Sequence, residues 1–324
     1  MRLSGLAVIL TVGLILAPVC PDAQQRTNLP RIVVFSLSSP PDHVRAFEEG
    51  LRALGYTPGT TITVDHRSAE GRAATLPALA REIVALHPQV IVAIGTTAAI
   101  VAQQATKDLP IVAVTGDIVA AGLVGNLARP EGNVTGLSFF AGDLMLKRFD
   151  LLMELAPQIR RLAVLFQSPL TPATTKALPA LRIAAGKRGV EVRDVPIVRV
   201  EDVKVAFATL RGSTVDGLLL QQSPMLDARA EEIGRLAAEH RLIAMLPWKE
   251  YMQTGGLVAY APDILALWRR AATYVDRILR GAKPSDLPIE QPTRFELVIN
   301  RKTAKALGLT IPQTLLLQAD HVIE

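Results

Sequence analysis

Short apolar runs alternate with amphipathic stretches along most of the chain, and this alternation predicts an α/β fold. The runs are too short for full helices and rich in β-branched residues, so they predict strands buried on both faces. The stretches between them carry apolar residues at helical spacing. The first half predicts strands at 31–37, 61–64, 90–94, 111–114 and 134–139, and helices from Asp42 to Gly55 and at 76–86, 98–106 and 117–128.

The same alternation starts again after residue 140. It predicts strands at 161–166, 190–197, 215–220, 242–246, 257–260 and 295–299, and helices at 143–155, 173–188, 201–211, 227–240, 263–279 and 303–307. Pro179 should kink the helix that contains it or delay its start. Two alternations of similar length, followed by a Pro-rich tail at 283–292, indicate two Rossmann-like lobes with parallel sheets and a cleft between them.

Polar residues follow several predicted strands at their carboxyl ends, the edge where open parallel sheets bind ligands. They are Ser36 and Ser38 after the first strand; Thr96 and Thr97 after the third; Thr115, Gly116 and Asp117 after the fourth; and Gln222, Ser223 and Trp248 in the second half. Hydroxyls, amides, one carboxylate and an aromatic ring suit a small zwitterion. The β-α-β unit at 90–117 is the centre of this prediction.

Each group has an expected role in binding such a ligand. The hydroxyls and backbone N–H groups of Thr96 and Thr97 lie at a predicted helix N-terminus, which favours a carboxylate. Asp117 is expected to take an ammonium, and Trp248 to stack on an apolar part of the ligand. Each also has a purely structural interpretation, because Ser, Thr and Asp cap helices and a tryptophan fills a core.

Composition and motifs exclude several other functions. Aromatic residues make up only 4% of the chain, so the core must consist mainly of Ala, Val, Leu and Ile, as helix-covered parallel sheets require. The net charge of +5 comes from scattered Lys and Arg without aromatic interleaving, which argues against nucleic-acid binding. The sequence has no metal-ligand spacing among its histidines, no phosphate-binding loop and no nucleophile elbow. No cofactor, metal or catalytic residue is predicted.

The N-terminus predicts export. Arg2 precedes an apolar run at 6–17, which is shorter than the roughly 20 residues of a spanning helix, so residues 1–23 are predicted to be a signal peptide. A membrane anchor is the alternative interpretation. Cys20, the single cysteine, is expected to be removed with the signal peptide; lipidation at Cys20 is the alternative. The mature protein is therefore expected in the periplasm.

Several longer stretches resemble one family of transport proteins. They are A-F-E-E-G-L-R-A-L-G-Y at 46–56, G-T-T-A-A at 95–99, G-L-V-G-N-L-A-R-P-E-G-N-V-T-G-L-S at 122–138, and the tail from 271 to 312. In order and spacing they resemble the ABC transporter substrate-binding proteins of the tryptophan-binding TrpX type. The resemblance implies a type I periplasmic-binding-protein fold. It also implies delivery of a small solute, such as an amino acid, to an ABC permease and its ATPase in the membrane.

The resemblance also implies how the lobes and the site are arranged. Lobe 1 would take residues 30–139 and 262–281, and lobe 2 residues 140–261 and 285–324. Three crossovers near 138–142, 255–262 and 281–292 would form the hinge. Thr96, Thr97 and the strand end at 115–117 would hold the ligand from lobe 1, and Gln222, Ser223 and Trp248 would close on it from lobe 2.

Two other functions are compatible with the same sequence. A ligand-sensing module that docks on a membrane receptor would have the same fold and cleft. A periplasmic hydrolase using Asp117 is less favoured, because no nucleophile or metal motif accompanies that residue. The preferred hypothesis is an exported, monomeric solute-binding protein that is not an enzyme.

Overall fold

Parallel strands form the first of two β-sheets in the part of the chain that the structure describes. The computed structural model describes residues 29–38, 41–139, 141–211 and 214–324. The first sheet has the strand order β2-β1-β3-β4-β5. Its strands are β1 (Arg31–Ser36), β2 (Thr63–Ser68), β3 (Val90–Ile94), β4 (Ile111–Thr115) and β5 (Val134–Ser138), and its helices are α1 (Pro41–Ala53), α2 (Leu76–Ala85) and α3 (Thr96–Ala105). We call this unit the first lobe.

The second sheet belongs to the other half of the chain and has the order β12-β11-β10-β9-β8-β6-β7. Its strands are β6 (Arg161–Gln167), β7 (Glu191–Ile197), β8 (Gly217–Leu220), β9 (Ile243–Leu246), β10 (Val258–Ala261), β11 (Glu296–Asn300) and β12 (His321–Ile323). The helices packed around it are α4 (Ala141–Leu155), α5 (Pro172–Lys187), α6 (Val203–Leu210), α7 (Pro224–Asp227), α8 (Ala230–Glu239), α10 (Arg301–Leu307) and α11 (Gln313–Gln318). We call this unit the second lobe. The prediction of two α/β lobes is confirmed.

One strand of the second sheet departs from the predicted parallel direction. β11 pairs antiparallel with β10, whereas the other neighbours in both sheets are parallel. The chain leaves the second sheet at the carboxyl end of β10, passes through the first lobe and returns at the same edge. β11 therefore starts where β10 ended and must run the opposite way.

The long helix α9 (Ile264–Leu279) belongs to the first lobe although it follows a strand of the second. Asp263 caps it by accepting the Ala266 N–H at 3.1 Å. Its buried face packs on α1, and Arg269 donates to the Glu49 carboxylate at 3.0 Å. At Gly50 the two helices approach so closely that an ideal Cβ would lie 2.6 Å from the Arg269 carbonyl oxygen.

The return from α9 is fastened to the first sheet through Glu290. Its N–H donates to the Gly136 carbonyl at 3.0 Å, and its carbonyl accepts from the Ser138 N–H at 3.0 Å. Arg270 forks onto the Glu290 carboxylate with two bonds of 2.7 Å, which lowers the pKa of that carboxyl. These bonds hold the crossover on the first lobe as far as Glu290, so the chain passes to the second lobe only after that residue.

Several predicted elements differ from the observed ones. Residues 117–128 form turns instead of a helix, because Gly122 takes a φ of 69° and the Asp117 carboxylate accepts the Ala120 N–H at 2.9 Å. α5 continues through Pro179 without a break, and the burial of Ala177, Leu178 and Leu181 against the sheet stabilises the helix there. α7, α11 and β12 were not predicted, since each is too short to show a period.

The predicted signal peptide at 1–23 and Cys20 lie outside the described residues. Within the described ranges, no helix combines the length and the apolar character that crossing a bilayer requires.

We expect Gly50→Ala to destabilise the packing of α1 on α9. The added methyl group would meet the Arg269 carbonyl at 2.6 Å and the Ala272 Cβ at 3.0 Å. Such overpacking costs about 1–3 kcal/mol, more than the gain in helix propensity of about 0.5–1 kcal/mol. Thermal melting followed by circular dichroism measures the effect. The matched control is Gly186→Ala in α5, whose Cβ meets nothing within 4 Å and which should melt at or slightly above the wild-type temperature. A Gly50→Ala protein as stable as the control would refute the close contact.

Candidate ligand-binding cleft

The carboxyl ends of strands from both sheets face one cleft between the two lobes. Its lining comes from the loops after β1, β3, β4 and β5 in the first lobe and after β6, β8 and β9 in the second. The cleft holds about 750 Å³ of empty space, counted out to its mouth. The sequence-predicted residues that line it are Ser38, Thr96, Thr97, Gly116, Gln222, Ser223 and Trp248.

The N-terminus of α3 points its first turn into this cleft. Gly95 precedes the helix with a φ of 83°, a conformation that favours glycine, and Thr96, Thr97 and Ala98 follow it along the lining. The N–H groups of a helix's first turn have no partner within the helix and carry a partial positive charge. The hydroxyls of Thr96 and Thr97 have no hydrogen-bond partner among the described residues. This end of the cleft therefore offers donors for an anionic group.

The second lobe contacts the first directly beside this helix. An ideal Cβ on Gly95 would lie 2.7 Å from Pro224 Cγ, so the start of α3 and the start of α7 are adjacent. A second contact joins Gly71 of the first lobe to Val200 of the second, where an ideal Cβ would lie 3.2 Å from Val200 Cγ1. The structure therefore has the two lobes closed on each other around the cleft.

Asp227, at the end of α7, is the one carboxylate among the described lining residues. Burial raises its pKa to about 7 against the hydrogen bond that it accepts from the Tyr251 hydroxyl at 2.9 Å. The Trp248 N–H faces the same carboxylate and lowers its pKa, but within the described residues the geometry falls short of a hydrogen bond. The Glu250 charge raises the Asp227 pKa further, and the Arg148 charge lowers it. A half-buried carboxylate of this kind favours a cationic partner.

Aromatic rings form much of the remaining wall. Phe139 and Trp248 meet edge-on with centroids 6.0 Å apart, and His43 and Trp268 are tilted with centroids 5.3 Å apart. Burial lowers the pKa of His43 to about 4, so the ring is neutral at physiological pH. Aromatic faces and edges of this kind suit a flat, apolar ligand group.

The polar residues of the second lobe differ in how freely they can meet a ligand. Gln221 is fully engaged: its Oε1 accepts the Gln167 N–H at 3.1 Å, and its Nε2 donates to Thr174 Oγ1 at 3.1 Å. Ser223 caps α7, because its Oγ accepts the Leu226 N–H at 3.2 Å. The Gln222 Oε1 accepts a hydrogen bond from Arg148, and the Gln222 amide nitrogen has no partner among the described residues.

Three of the predicted site residues lie outside the cleft lining. Ser36 and Thr115 are fully buried within β1 and β4, and the Thr115 hydroxyl has no partner among the described residues. The Asp117 carboxylate accepts the Ala120 N–H in the turn that follows β4. These residues belong to the strand ends that the sequence indicates, but their side chains do not reach the lining.

The acidic residue of the lining was not predicted, nor were three of the aromatic ones, His43, Phe139 and Trp268. Asp227 lies seven residues beyond the end of β8, at the end of the short helix α7, so it does not directly follow a strand as the predicted residues do. His43 and Trp268 lie on α1 and α9, where both fit an apolar helix face equally well. Nothing in the local sequence distinguishes a cleft wall from a core in such positions.

Two α/β lobes closed around a cleft define the class of protein: the chain has the fold of type I periplasmic binding proteins. The chain belongs to the family of ABC transporter substrate-binding proteins, whose model matches residues 32–323.

Several known proteins are similar to the chain. A protein named tyrosine-binding protein from Clostridioides difficile (strain R20291) is 28% identical over 267 residues, which are 82% of this chain and 76% of that protein. The structure of an ABC domain in complex with L-Trp from Streptococcus pneumoniae is 25% identical and has a TM-score of 0.80, with 91% of this chain and 100% of that chain covered. A conserved domain protein from Vibrio cholerae has a TM-score of 0.80 at 27% identity, covering 90% and 99%.

Proposed function

We propose that the protein captures an aromatic amino acid in the interlobe cleft and delivers it to an ABC importer. The observation that carries this proposal is the pairing of two features of opposite polarity, the N-terminus of α3 and the Asp227 carboxylate, beside aromatic walls. The contact between Gly95 and Pro224 brings the first turn of α3 next to α7, which ends at Asp227. The carboxylate and ammonium of an amino acid are separated by one carbon atom and suit such closely placed partners.

The wall composition supports an aromatic side chain over an aliphatic or charged one. Phe139, Trp248, Trp268 and neutral His43 surround apolar space, and Asp227 is the one acid among the described lining residues. A second carboxylate on the ligand would find no lysine or arginine among those lining residues. Two similar proteins agree with this ligand class: one is named tyrosine-binding protein, and the structure of the other is a complex with L-Trp.

The remaining parts of the proposal follow from the family. Proteins of this kind are extracytoplasmic. We propose that this one is exported by a signal peptide to the periplasm, acts as a monomer and docks on an ABC permease that works with an ATPase. For the lobes we propose boundaries at 30–139 with 262–281 and at 140–261 with 285–324, supported by the packing of α9 on α1 and by the assignment of β11 and β12 to the second sheet.

The competing functions expected from the sequence have less support. The hydrolase hypothesis rested on Asp117, whose carboxylate lies outside the cleft lining. A sensing module would share the cleft and the ligand, so it differs from the transport hypothesis in the membrane partner alone.

Calorimetric titration with L-tyrosine and L-tryptophan tests the proposed ligand class. Both should bind to ligand-free protein and raise its melting temperature, because ligand binding stabilises the state that binds it. Tryptamine lacks the carboxylate for α3, and 3-indolepropionate lacks the ammonium for Asp227. Each should bind about 10- to 100-fold more weakly, the effect of losing one hydrogen bond to a charged group. Leucine serves as the aliphatic control. Binding of the two analogues as tight as that of L-tryptophan would contradict the zwitterion site, and a preference for leucine would contradict the aromatic wall.

The affinity for an amino acid should fall as the pH drops below about 7, the pKa of Asp227. The ammonium binds the ionised carboxylate, and protonation of Asp227 in the ligand-free protein competes with it. At pH 5.5 the affinity should be roughly 30-fold lower than at pH 8, since each pH unit below the pKa costs about tenfold. His43, with a pKa of about 4, stays neutral throughout this range.

Two variants test whether Asp227 causes this pH dependence. Asp227→Asn should bind more weakly and show a flat profile between pH 5.5 and 8. Asp117→Asn, which removes a carboxylate outside the lining, should keep the wild-type profile. The assignment fails if Asp227→Asn retains the wild-type pH dependence.

A further inference from the structure

Arg148 is a buried arginine on α4, 2% exposed, on the cleft side of the second lobe. None of the ion pairs within the described ranges includes it. Burial lowers its pKa to about 10, which leaves the guanidinium charged at physiological pH. A buried charge without a contacting carboxylate is costly unless its hydrogen bonds are made. Its bonding partners therefore indicate its role.

The guanidinium binds the carboxyl ends of three neighbouring strands. Its Nε donates to the Tyr260 carbonyl at 2.7 Å, and one terminal nitrogen donates to the Pro247 carbonyl at 3.3 Å and to Gln222 Oε1 at 3.5 Å. Tyr260 lies on β10 just before the crossover into α9, Pro247 precedes Trp248, and Gln222 follows β8. One side chain thus joins the cleft residue Gln222 and the residue before Trp248 to the strand that leads into the hinge.

The contact also fixes which way the Gln222 amide faces. Because the Gln222 Oε1 accepts from the guanidinium, the NH₂ group of the same amide is directed away from Arg148. Gln222 also lines the cleft. The Gln222 carbonyl accepts the Gln221 Nε2 at 2.5 Å, so the backbone at this strand end is held as well. Gln222 therefore presents a donor to a ligand.

The charge of Arg148 acts on Asp227 from beneath the same strand ends. Besides the Trp248 N–H, the groups that act on Asp227 are Tyr251 and Glu250, on the 3₁₀ helix Lys249–Thr254, and Arg148 on α4. Tyr251 donates a hydrogen bond, Glu250 repels the carboxylate, and Arg148 attracts it. Arg148 is thus the cation among these neighbours that favours the ionised form of Asp227.

We propose that Arg148 is a positioning residue of the binding site, holding the Gln222 amide and the Pro247 carbonyl, just before Trp248, in place. Its positive charge also acts on Asp227. This inference rests on the proposed function for its ligand. It concerns a residue that does not line the cleft, and it separates two effects of one side chain: the geometry of its forked donors and its charge.

Two substitutions separate geometry from charge. Arg148→Lys keeps the charge but replaces the planar fork with a single ammonium, and Arg148→Met removes both. The matched control is Arg160→Lys, because Arg160 also donates to backbone carbonyls, those of Pro157 and Ile159, but at the opposite edge of the sheet just before β6. Each protein is measured for melting temperature and for its dissociation constant with L-tyrosine and L-tryptophan from pH 5.5 to 8.5.

A titration without ligand gives an independent readout. The chain has two tryptophans, so Trp268→Phe leaves Trp248, beside Asp227, as the single indole fluorophore. Its emission in ligand-free protein should titrate near pH 7 in the Trp268→Phe parent. Arg148→Lys should keep this midpoint and Arg148→Met should raise it. Failure of the wild type to bind either amino acid would refute the proposed function, and this titration would still decide the role of the Arg148 charge.

With ligand, Arg148→Lys should bind about tenfold more weakly at every pH, the loss expected from one charge-assisted hydrogen bond. Arg148→Met should lose at least as much and should also shift the pH dependence upward. Arg160→Lys should match the wild type. Wild-type affinity in Arg148→Lys would overturn the positioning role, as would a variant that lowers the melting temperature but leaves the affinity unchanged. An unchanged titration midpoint in Arg148→Met would overturn the effect of the charge on Asp227.

If Arg148→Lys does not fold, Gln222→Glu decides the contact. A carboxylate at this position would meet the guanidinium directly, so the melting temperature should be unchanged or higher, while the donor to the ligand is lost and affinity falls. A large drop in melting temperature would show that the side chain at 222 does not face Arg148, and would overturn the proposal.

Discussion

The direction of the strands is the constraint on which the site depends. Parallel strands place their carboxyl ends at one edge of a sheet, and the two lobes turn these edges toward each other. Ser38, Thr96 and Trp248 each lie two residues beyond the end of a strand, which suffices to bring them to a common space. The strand that breaks the pattern, β11, is the one that returns from the first lobe, so the exception arises from the hinge itself.

The electrostatics of the cleft follow from burial at these strand ends. α3 offers unpaired N–H groups without any charged side chain, and Asp227 is desolvated until its pKa reaches about 7. Arg148 lies beneath the strands, where its charge offsets part of that desolvation. A zwitterion can satisfy both ends at once, which makes reversible binding the chemistry that this arrangement favours. Among the described residues, no group of His, Cys, Asp and Glu side chains is placed to hold a metal ion.

Much of the fold was predictable because it depends on local patterns of apolar and polar residues. Continuous apolar runs gave β3 and β4, and the polar residues after them gave Thr96, Thr97 and Gly116 as part of the cleft. The polar interior was less predictable. Asp227 accepts a hydrogen bond from Tyr251, which is 24 positions away, and the His43–Trp268 pair joins two helices at positions 225 residues apart. Asp117 shows the converse: a local turn satisfies its carboxylate, and no pattern within the sequence distinguishes that from a ligand role.

A crystal structure of the complex with L-tyrosine tests the account most directly. The ligand carboxylate should accept from the backbone N–H groups and hydroxyls of Thr96 and Thr97 at the start of α3. Its ammonium should donate to Asp227, and its ring should lie against Phe139, Trp248 or Trp268. A ligand whose carboxylate lies away from α3, or whose ammonium does not reach Asp227, would contradict the account.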